Sequence, residues 1–252
     1  MLPYSADGFV LRRYDLREAD RIVVLYTRDR GKVSAVAKGA KRLHSKLAAA
    51  CEPLTLNRYS ISPGRNLDVI SQAESRFTFH YVRADLERLA YAIYRADLAD
   101  LFTDEHMPDE ALFAHITGCM YLSEYGCDSE TVTRYFETRL LRILGYLPDT
   151  ERCCVCGKEF AEGGKVVFLP SSGGFACSDC GGGDAFPVSL LSYIRGLADL
   201  GPKKLIDITI PDGAKRDLEQ VMRLCIENQL TNRLKSKEFV DIVKRLRRGV
   251  GE

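Results

Sequence analysis

The sequence predicts an α+β protein of several domains: a small N-terminal β-barrel, then a mainly α-helical domain that carries a short metal-held insert. Three observations predict it. Apolar and polar residues alternate in short runs through the first eighty residues, the period lengthens to that of a helix after about His80, and two C-x-x-C pairs stand twenty residues apart in a glycine-rich stretch. At 252 residues the chain can hold one large domain or two to three small ones, with a core that needs no covalent staples.

Five strands are expected in the first part: Gly8 to Tyr14, Arg21 to Thr27, Lys32 to Lys38, Leu54 to Ser60 and Leu67 to Ser75. Arg28-Asp29-Arg30-Gly31 closes a hairpin between the second and third, because glycine accepts the positive φ of a tight turn. In the third strand Val33, Ala35 and Ala37 alternate with Ser34, Val36 and Lys38, the pattern of a half-buried strand. Ser62-Pro63-Gly64-Arg65-Asn66 is a second turn signal. Five antiparallel strands in a partly open barrel make an OB-fold. An SH3-like barrel has the same strand count, and the pattern alone leaves the two open.

From His80 to about Phe102 a single helix is expected, with Leu86, Leu89, Ala90, Ile93, Ala96 and Leu101 on one face. Helices at Asp109 to Tyr125 and Ser129 to Leu144 follow. The latter opens on Asp128-Ser129 and is closed by Gly145 and Pro148, which makes the middle of the chain an antiparallel bundle. Helical pattern returns at Pro187 to Leu200, Gly213 to Leu234 and Lys237 to Arg248. The expected division is therefore a barrel at residues 1–79, a helical bundle at 80–150, an insert at 151–186, and C-terminal helices at 187–252 that pack with the helical domain.

Nine cysteines in a chain with no signal-peptide pattern fit a disulfide framework poorly. Cys153 and Cys156 form one C-x-x-C, Cys177 and Cys180 the other, and four soft thiolates at this separation suit tetrahedral Zn²⁺. Cys154 is an alternative to Cys153 that would give C-x-C; the wider spacing is the commoner knuckle and is preferred. A full set of four sulfurs leaves no open coordination position, so the expected zinc is structural. Cys51, Cys119, Cys127, Cys154 and Cys225 have no partner at ligand spacing and are read as small packed side chains.

The formal net charge of +1 hides a gradient. Residues 1–80 carry 14 Lys and Arg against 8 Asp and Glu, residues 81–150 carry 6 against 13, and residues 151–252 carry 16 against 14. A basic head suggests a polyanionic partner. The densest cluster runs from Lys38 to Lys46, where Lys38, Lys41, Arg42 and Lys46 accompany Gly39 and Ser45, the residue types that phosphate binding uses. Arg12, Arg13, Lys32, Arg58 and Arg65 extend the candidate patch over the barrel. Tyr14, Tyr26 and Tyr59 offer stacking faces to bases, but each reads first as a core or edge residue.

At these residues the chain resembles the RecO family. The resemblance is carried by Gly8-Phe9-Val10-Leu11, by Glu18-Ala19-Asp20, and by TRDRGKVSAVAKGAKRLHSKL ending at Leu47. It continues through GRNLDVISQAE (Gly64 to Glu74), LGYLPD (Leu144 to Asp149) and the Ser-Gly-Gly ahead of Cys177, so it covers essentially the whole chain. Some members of that family lack the cysteines, and the zinc expectation rests on the spacing. The resemblance implies an OB-fold followed by a helical domain, and a recombinational repair protein that binds single- and double-stranded DNA. It further implies annealing of complementary strands without ATP, and a partnership with RecR in loading RecA onto strands coated by single-strand-binding protein, whose acidic C-terminal tail such proteins recognise. For that tail the sequence assigns no residues; Arg134, Arg139 and Arg142 read first as solvated charges.

No catalytic constellation competes with this reading. The sequence has no G-x-x-x-x-G-K-[ST] loop and no H-E-x-x-H, and His44, His80, His106 and His115 stand at no ligand spacing. No apolar run reaches the roughly 20 residues that span a bilayer. The expectation is a non-enzymatic, cytoplasmic, nucleoid-associated protein. The alternative is a zinc-containing OB-fold scaffold that acts through protein contacts alone.

Overall fold

The computed structural model describes residues 2–230 and 235–249. They belong to two compact units, Met1–Gly126 with Leu234–Glu252, and Cys127–Arg233.

The first unit opens with the barrel. Its strands are β1 (Tyr4–Leu16), β2 (Asp20–Thr27), β3 (Gly31–Ala37), β4 (Thr55–Ser62) and β5 (Asp68–Thr78). They close in the order β1-β2-β3-β5-β4. The sequence pattern suggests an all-antiparallel, partly open barrel. The five-stranded OB-like barrel is present and closed; the structure corrects the pairing, since β3 runs parallel to β5, Ala35 opposite Asp68 and Ala37 opposite Ile70. That parallel closure is what a run of hairpins cannot make, since two parallel strands need a connection that crosses an end of the barrel. Inward-facing Val10, Val23, Leu25, Val33, Ala35, Ala37, Ile61 and Ile70 fill the interior. One end is plugged by the β3–β4 connection, whose Ala40, Ala50 and Cys51 are buried in the same cluster. Tyr59 Oη, fully buried, donates to the Ala50 carbonyl at 2.6 Å and accepts from Asn57 Nδ2 at 2.8 Å.

Where one long helix is expected from His80, there are two: α1 (His80–Ala84) and α2 (Leu86–Leu101). Asp85 interrupts them in an extended conformation, and its carboxylate accepts the Arg88 N–H at 2.9 Å as the cap of α2. The free N–H groups of α1 are met from outside the helix: the Glu124 carboxylate accepts from His80, Tyr81 and Val82 at 2.9, 3.1 and 3.0 Å. Glu124 ends α3 (Glu110–Glu124), so α1 and α3 are tied by charge-assisted bonds. Phe77 and Phe79, at the end of β5, stack edge-on against Tyr121 with ring centroids 4.9 and 5.3 Å away, which anchors the barrel to α3. A C-terminal helix (Lys235–Gly249) returns to pack on α2, with Val240 and Val243 buried.

The second unit holds α4 (Ser129–Ile143), capped as the sequence suggests by Asp128, which accepts the Thr131 N–H at 2.9 Å. The predicted insert carries a three-stranded antiparallel sheet that the sequence reading lacks: β6 (Lys165–Leu169), β7 (Gly174–Cys177) and β8 (Ala185–Pro187), in the order β7-β6-β8. Val166, Val167, Phe168, Phe175, Ala176 and Phe186 are buried there. Helices α5 (Ser189–Asp199) and α6 (Asp212–Glu227) follow, and the C-terminal helix of the first unit is α7. The expected helix from Gly213 ends at Glu227; residues 231–234 lie outside the described ones. Arg134 and Glu137 pair at 3.2 Å inside the unit, each 1% exposed, so Arg134 is a core residue and not the solvated charge its sequence context suggests.

Gly31 allows a close backbone approach from residues 107–108 in the first unit. Its φ is +65°, and a Cβ at that position would lie 2.2 Å from the Met107 carbonyl oxygen. Gly31→Ala should therefore lower unfolding stability by about 2 kcal/mol or more, from the left-handed backbone and the clash together; equilibrium urea denaturation measures it.

Candidate metal centre and nucleic-acid interface

The sulfur atoms of Cys153, Cys156, Cys177 and Cys180 all lie within 4.8 Å of one another. Two tight turns bring them there. In the first, Cys153 N donates to the Lys158 carbonyl and Gly157 N to the Cys153 carbonyl, both at 2.9 Å, with Gly157 at φ +71°. In the second, Cys180 N and Gly181 N both donate to the Cys177 carbonyl, at 3.0 and 3.1 Å. Backbone N–H groups aim at sulfur: Cys156, Cys177 and Val155 donate to Cys153 Sγ at 3.5, 3.4 and 3.4 Å, and pull its thiol down to about 6. The Cys180 thiol is pushed up to about 12, chiefly by its hydrogen bond to Cys177 and then by that to Cys156. Such a set can hold a metal ion. Cys154 stands outside it, exposed, with its amide bonded to the Phe175 carbonyl at 2.8 Å. The expectation of a packed side chain holds for Cys51, Cys119 and Cys225, which are buried; burial pushes Cys51 up to about 11 and Cys225 up to about 12.

Of the ten residues singled out as a nucleic-acid patch, five are ion-paired within the first unit. Arg12 and Lys32 both serve the buried Asp100 at the end of α2: Arg12 pairs with its carboxylate, while Lys32 Nζ lies 3.3 Å from the carboxylate and donates to the Asp100 carbonyl at 2.7 Å. Arg13 shares Glu52 with Arg21, at 2.7 and 3.1 Å. Lys41 pairs with Asp15 at 2.9 Å, and Arg58 with Asp7 at 3.8 Å. Ser45 Oγ accepts the Leu47 N–H at 3.3 Å, a local turn contact. Lys38, Arg42 and Lys46 are exposed on the β3–β4 connection and make no ion pair with any described residue; Arg65 is exposed in the β4–β5 turn. That connection is fixed at its start. Gly39 N donates to Asp20 Oδ1 at 2.8 Å and Lys41 N to the Ala19 carbonyl at 2.9 Å, so residues 41–46 project from the barrel, with Leu43 92% exposed at their centre.

Of a row of side chains on the outer face, sequence reasoning named Tyr14 alone. Tyr14 pairs with Ile22, Ile22 with Val36, and Val36 with Val69, one residue from each of β1, β2, β3 and β5. All four are at least partly exposed, and the Arg12 guanidinium lies 5.3 Å from the Tyr14 ring centre. Tyr26 and Tyr59 are fully buried, as their bland reading requires, and Tyr14 is not. The signal was available in the alternation of β3, where Val36 falls opposite in phase to the inward Val33, Ala35 and Ala37. The other half of this face is covered: Ser34 Oγ donates to Glu105 at 2.5 Å, and His106 N donates to the Lys32 carbonyl at 2.9 Å.

A barrel with this strand order, a cationic β3–β4 loop and a four-cysteine cluster can be set beside known proteins. The family model described as recombination protein O N terminal matches residues 1–79, and that described as recombination protein O C terminal matches residues 83–238. The chain belongs to the RecO family. It is 35% identical to the DNA repair protein RecO of Desulforamulus reducens over 94% of either chain, and 35% identical to that of Symbiobacterium thermophilum over 98% of this chain and all of the relative. The relative from Bacillus subtilis is 29% identical over 98% of each. Within this RecO-family chain the N-terminal match ends one residue after β5, and among the described residues no helix is long and apolar enough to cross a membrane.

The two cations on Asp100 are structural by this geometry. Lys32→Met should destabilise the protein by roughly 2–3 kcal/mol, because a buried carboxylate loses one of its two cations; a comparable loss is expected for Arg12→Ala. Chemical denaturation checks both.

Proposed function

We propose that this protein is a non-enzymatic mediator of DNA repair and homologous recombination that binds single- and double-stranded DNA and anneals complementary strands without ATP. With RecR it assists loading of RecA onto DNA coated by single-strand-binding protein, whose acidic C-terminal tail it recognises, at the cytoplasmic nucleoid. The observation that carries the DNA reading is the trio Lys38, Arg42 and Lys46: three exposed cations without ion pairs among the described residues, on a loop anchored at both ends in the barrel. Phosphates replace counterions at such groups, and two strands held close by neutralised backbones repel less while base pairing supplies the free energy of annealing. Tyr14, backed by Arg12 and continued by Ile22, Val36 and Val69, suits sequence-tolerant stacking of unpaired bases.

The metal is read as one structural Zn²⁺ held by Cys153, Cys156, Cys177 and Cys180. Four thiolates saturate a tetrahedral ion, and the amide hydrogen bonds to Cys153 Sγ favour its ionised form. Elemental analysis should find one zinc per chain in the wild type and in Cys154→Ser, and none in Cys156→Ser. Metal and protons compete for the four sulfurs, so zinc should be retained at pH 7 and released on acidification, at a pH below that at which the free thiols take up protons.

A second reading, a scaffold acting through protein contacts, is favoured by one observation: Arg12, Arg13, Lys32, Lys41 and Arg58 are spent within the protein. Annealing of two labelled complementary oligonucleotides at two salt concentrations separates the readings. Rapid, salt-sensitive annealing is expected, and a K38Q/R42Q/K46Q variant should lower the slope of log affinity against log salt by roughly two to three units. No annealing by folded, metal-loaded wild type would favour the scaffold.

A further inference from the structure

A cavity of about 800 Å³ opens at the end of the barrel where β1 begins, between the β2–β3 turn, the β4–β5 turn and residues 106–108. Its lining includes Tyr4, Arg30, Arg65, Asn66 and His106. The size is that of a small-ligand site. It lies at the opposite end of β3 from the Lys38–Lys46 loop, seven strand residues or roughly 20 Å away.

Three features suit it to an anion with a planar group attached. First, the Arg30 guanidinium lies over the Tyr4 ring at 4.6 Å from its centre, so it is positioned by the ring while its N–H donors stay available. Second, one acid of the wall is already engaged: Asp68 accepts from Tyr4 Oη at 2.8 Å and from Gly64 N at 3.2 Å. Arg30 and Arg65 make no ion pair with any described residue. Third, the walls are preorganised. His106 sits at φ +61°, a conformation rare for a residue with a side chain, and its N–H is tied to the Lys32 carbonyl; Gly31 lets the 106–108 backbone lie directly on the β2–β3 turn.

The charge pattern decides which anion. Asp29 also lines the cavity, so its wall is mixed, unlike the uniformly cationic loop at Lys38, Arg42 and Lys46. A wall of two guanidinium groups and two acids, Asp29 and Asp68, offers cations to a single phosphate and not a track of cations to a continuous backbone, and the attached nucleoside could present donors to the acids. Resting on the DNA reading above, we propose that this cavity takes the terminal nucleotide of a DNA strand, with Arg30 and Arg65 holding its phosphomonoester and the His106 and Asn66 side chains beside its base.

The same chemistry is offered by a free nucleoside monophosphate, and the test separates the sources. Fluorescence anisotropy would compare one oligonucleotide in three forms, 5′-phosphorylated, 3′-phosphorylated and unphosphorylated, each labelled internally. One phosphorylated form should bind roughly tenfold tighter than the unphosphorylated one, the gain of a charge-assisted pair of hydrogen bonds. R30Q/R65Q should abolish that preference, so that the variant binds all three forms equally, its thermal unfolding midpoint confirming an intact fold. K38Q/R42Q/K46Q should weaken all three forms and keep the ratio; an unweakened triple variant with the ratio intact would remove the loop site but not this one. Equal affinities in the wild type would overturn the proposal. So would competition by deoxynucleoside monophosphate in the absence of any preference among the oligonucleotides, which would make the cavity a free-nucleotide site. Failure of all three oligonucleotides to bind would overturn both this inference and the DNA reading.

Discussion

The first unit depends on how the β3–β4 connection is anchored. Ala40 at its start and Ala50 and Cys51 at its end are buried in the barrel interior, and the Tyr59 hydroxyl holds the Ala50 carbonyl. A loop pinned at both ends has a short free span, and here that span is the six residues 41–46, bearing Arg42 and Lys46 with Lys38 just before it. Core packing and phosphate affinity therefore reside in one segment: the apolar residues at its ends keep the cations between them directed at solvent. A freely hinged loop with the same cations would lose conformational entropy on binding that this one has already lost on folding.

The same economy explains why a basic head is less basic in function than in composition. Asp100, nearly inaccessible at the end of α2, draws in Arg12 and Lys32, and Glu52 draws in Arg13 and Arg21. A buried carboxylate such as Asp100 cannot be left uncompensated, so Arg12 and Lys32 join strands to helix, while the half-exposed Glu52 links Arg13 and Arg21. What remains is selected by position: Lys38, Arg42 and Lys46 at one end of β3, Arg30 and Arg65 at the other.

Much of this was legible in the sequence. The five strands lie within a few residues of their expected positions, because period-two alternation and the turns at Gly31 and Gly64 are local signals. The cysteine set was legible from spacing alone, since C-x-x-C is the turn that brings two thiols to one ion. What the sequence withheld was nonlocal. Pairing of β3 with β5 in parallel is a property of the closed barrel and leaves no mark on either strand. Glu124 reaching back to cap α1 depends on residues more than forty positions apart, whereas Asp85, which caps α2 from three residues away, is a local signal that the helical period masked. Ion-pair partners are nonlocal too: nothing near Lys32 in the chain says that Asp100, 68 residues on, will claim it.

The insert shows how local and nonlocal order combine. Its three strands bury a handful of apolar residues, Val166, Phe168, Phe175 and Phe186 among them, which is a small core for a segment of about 36 residues. Such a segment needs a staple. Strand β7 ends on Cys177, the first sulfur of the second turn, while the Cys154 amide bonds to the Phe175 carbonyl on the same strand and brings the first turn alongside. A metal bound by the four sulfurs would cross-link the two turns that flank the sheet, so that its binding energy would add directly to the stability of the strands. The fifth thiol, Cys154, stands outside that set with its amide on the Phe175 carbonyl, so the fold brings together the sulfurs of the two C-x-x-C pairs and not those of C-x-C.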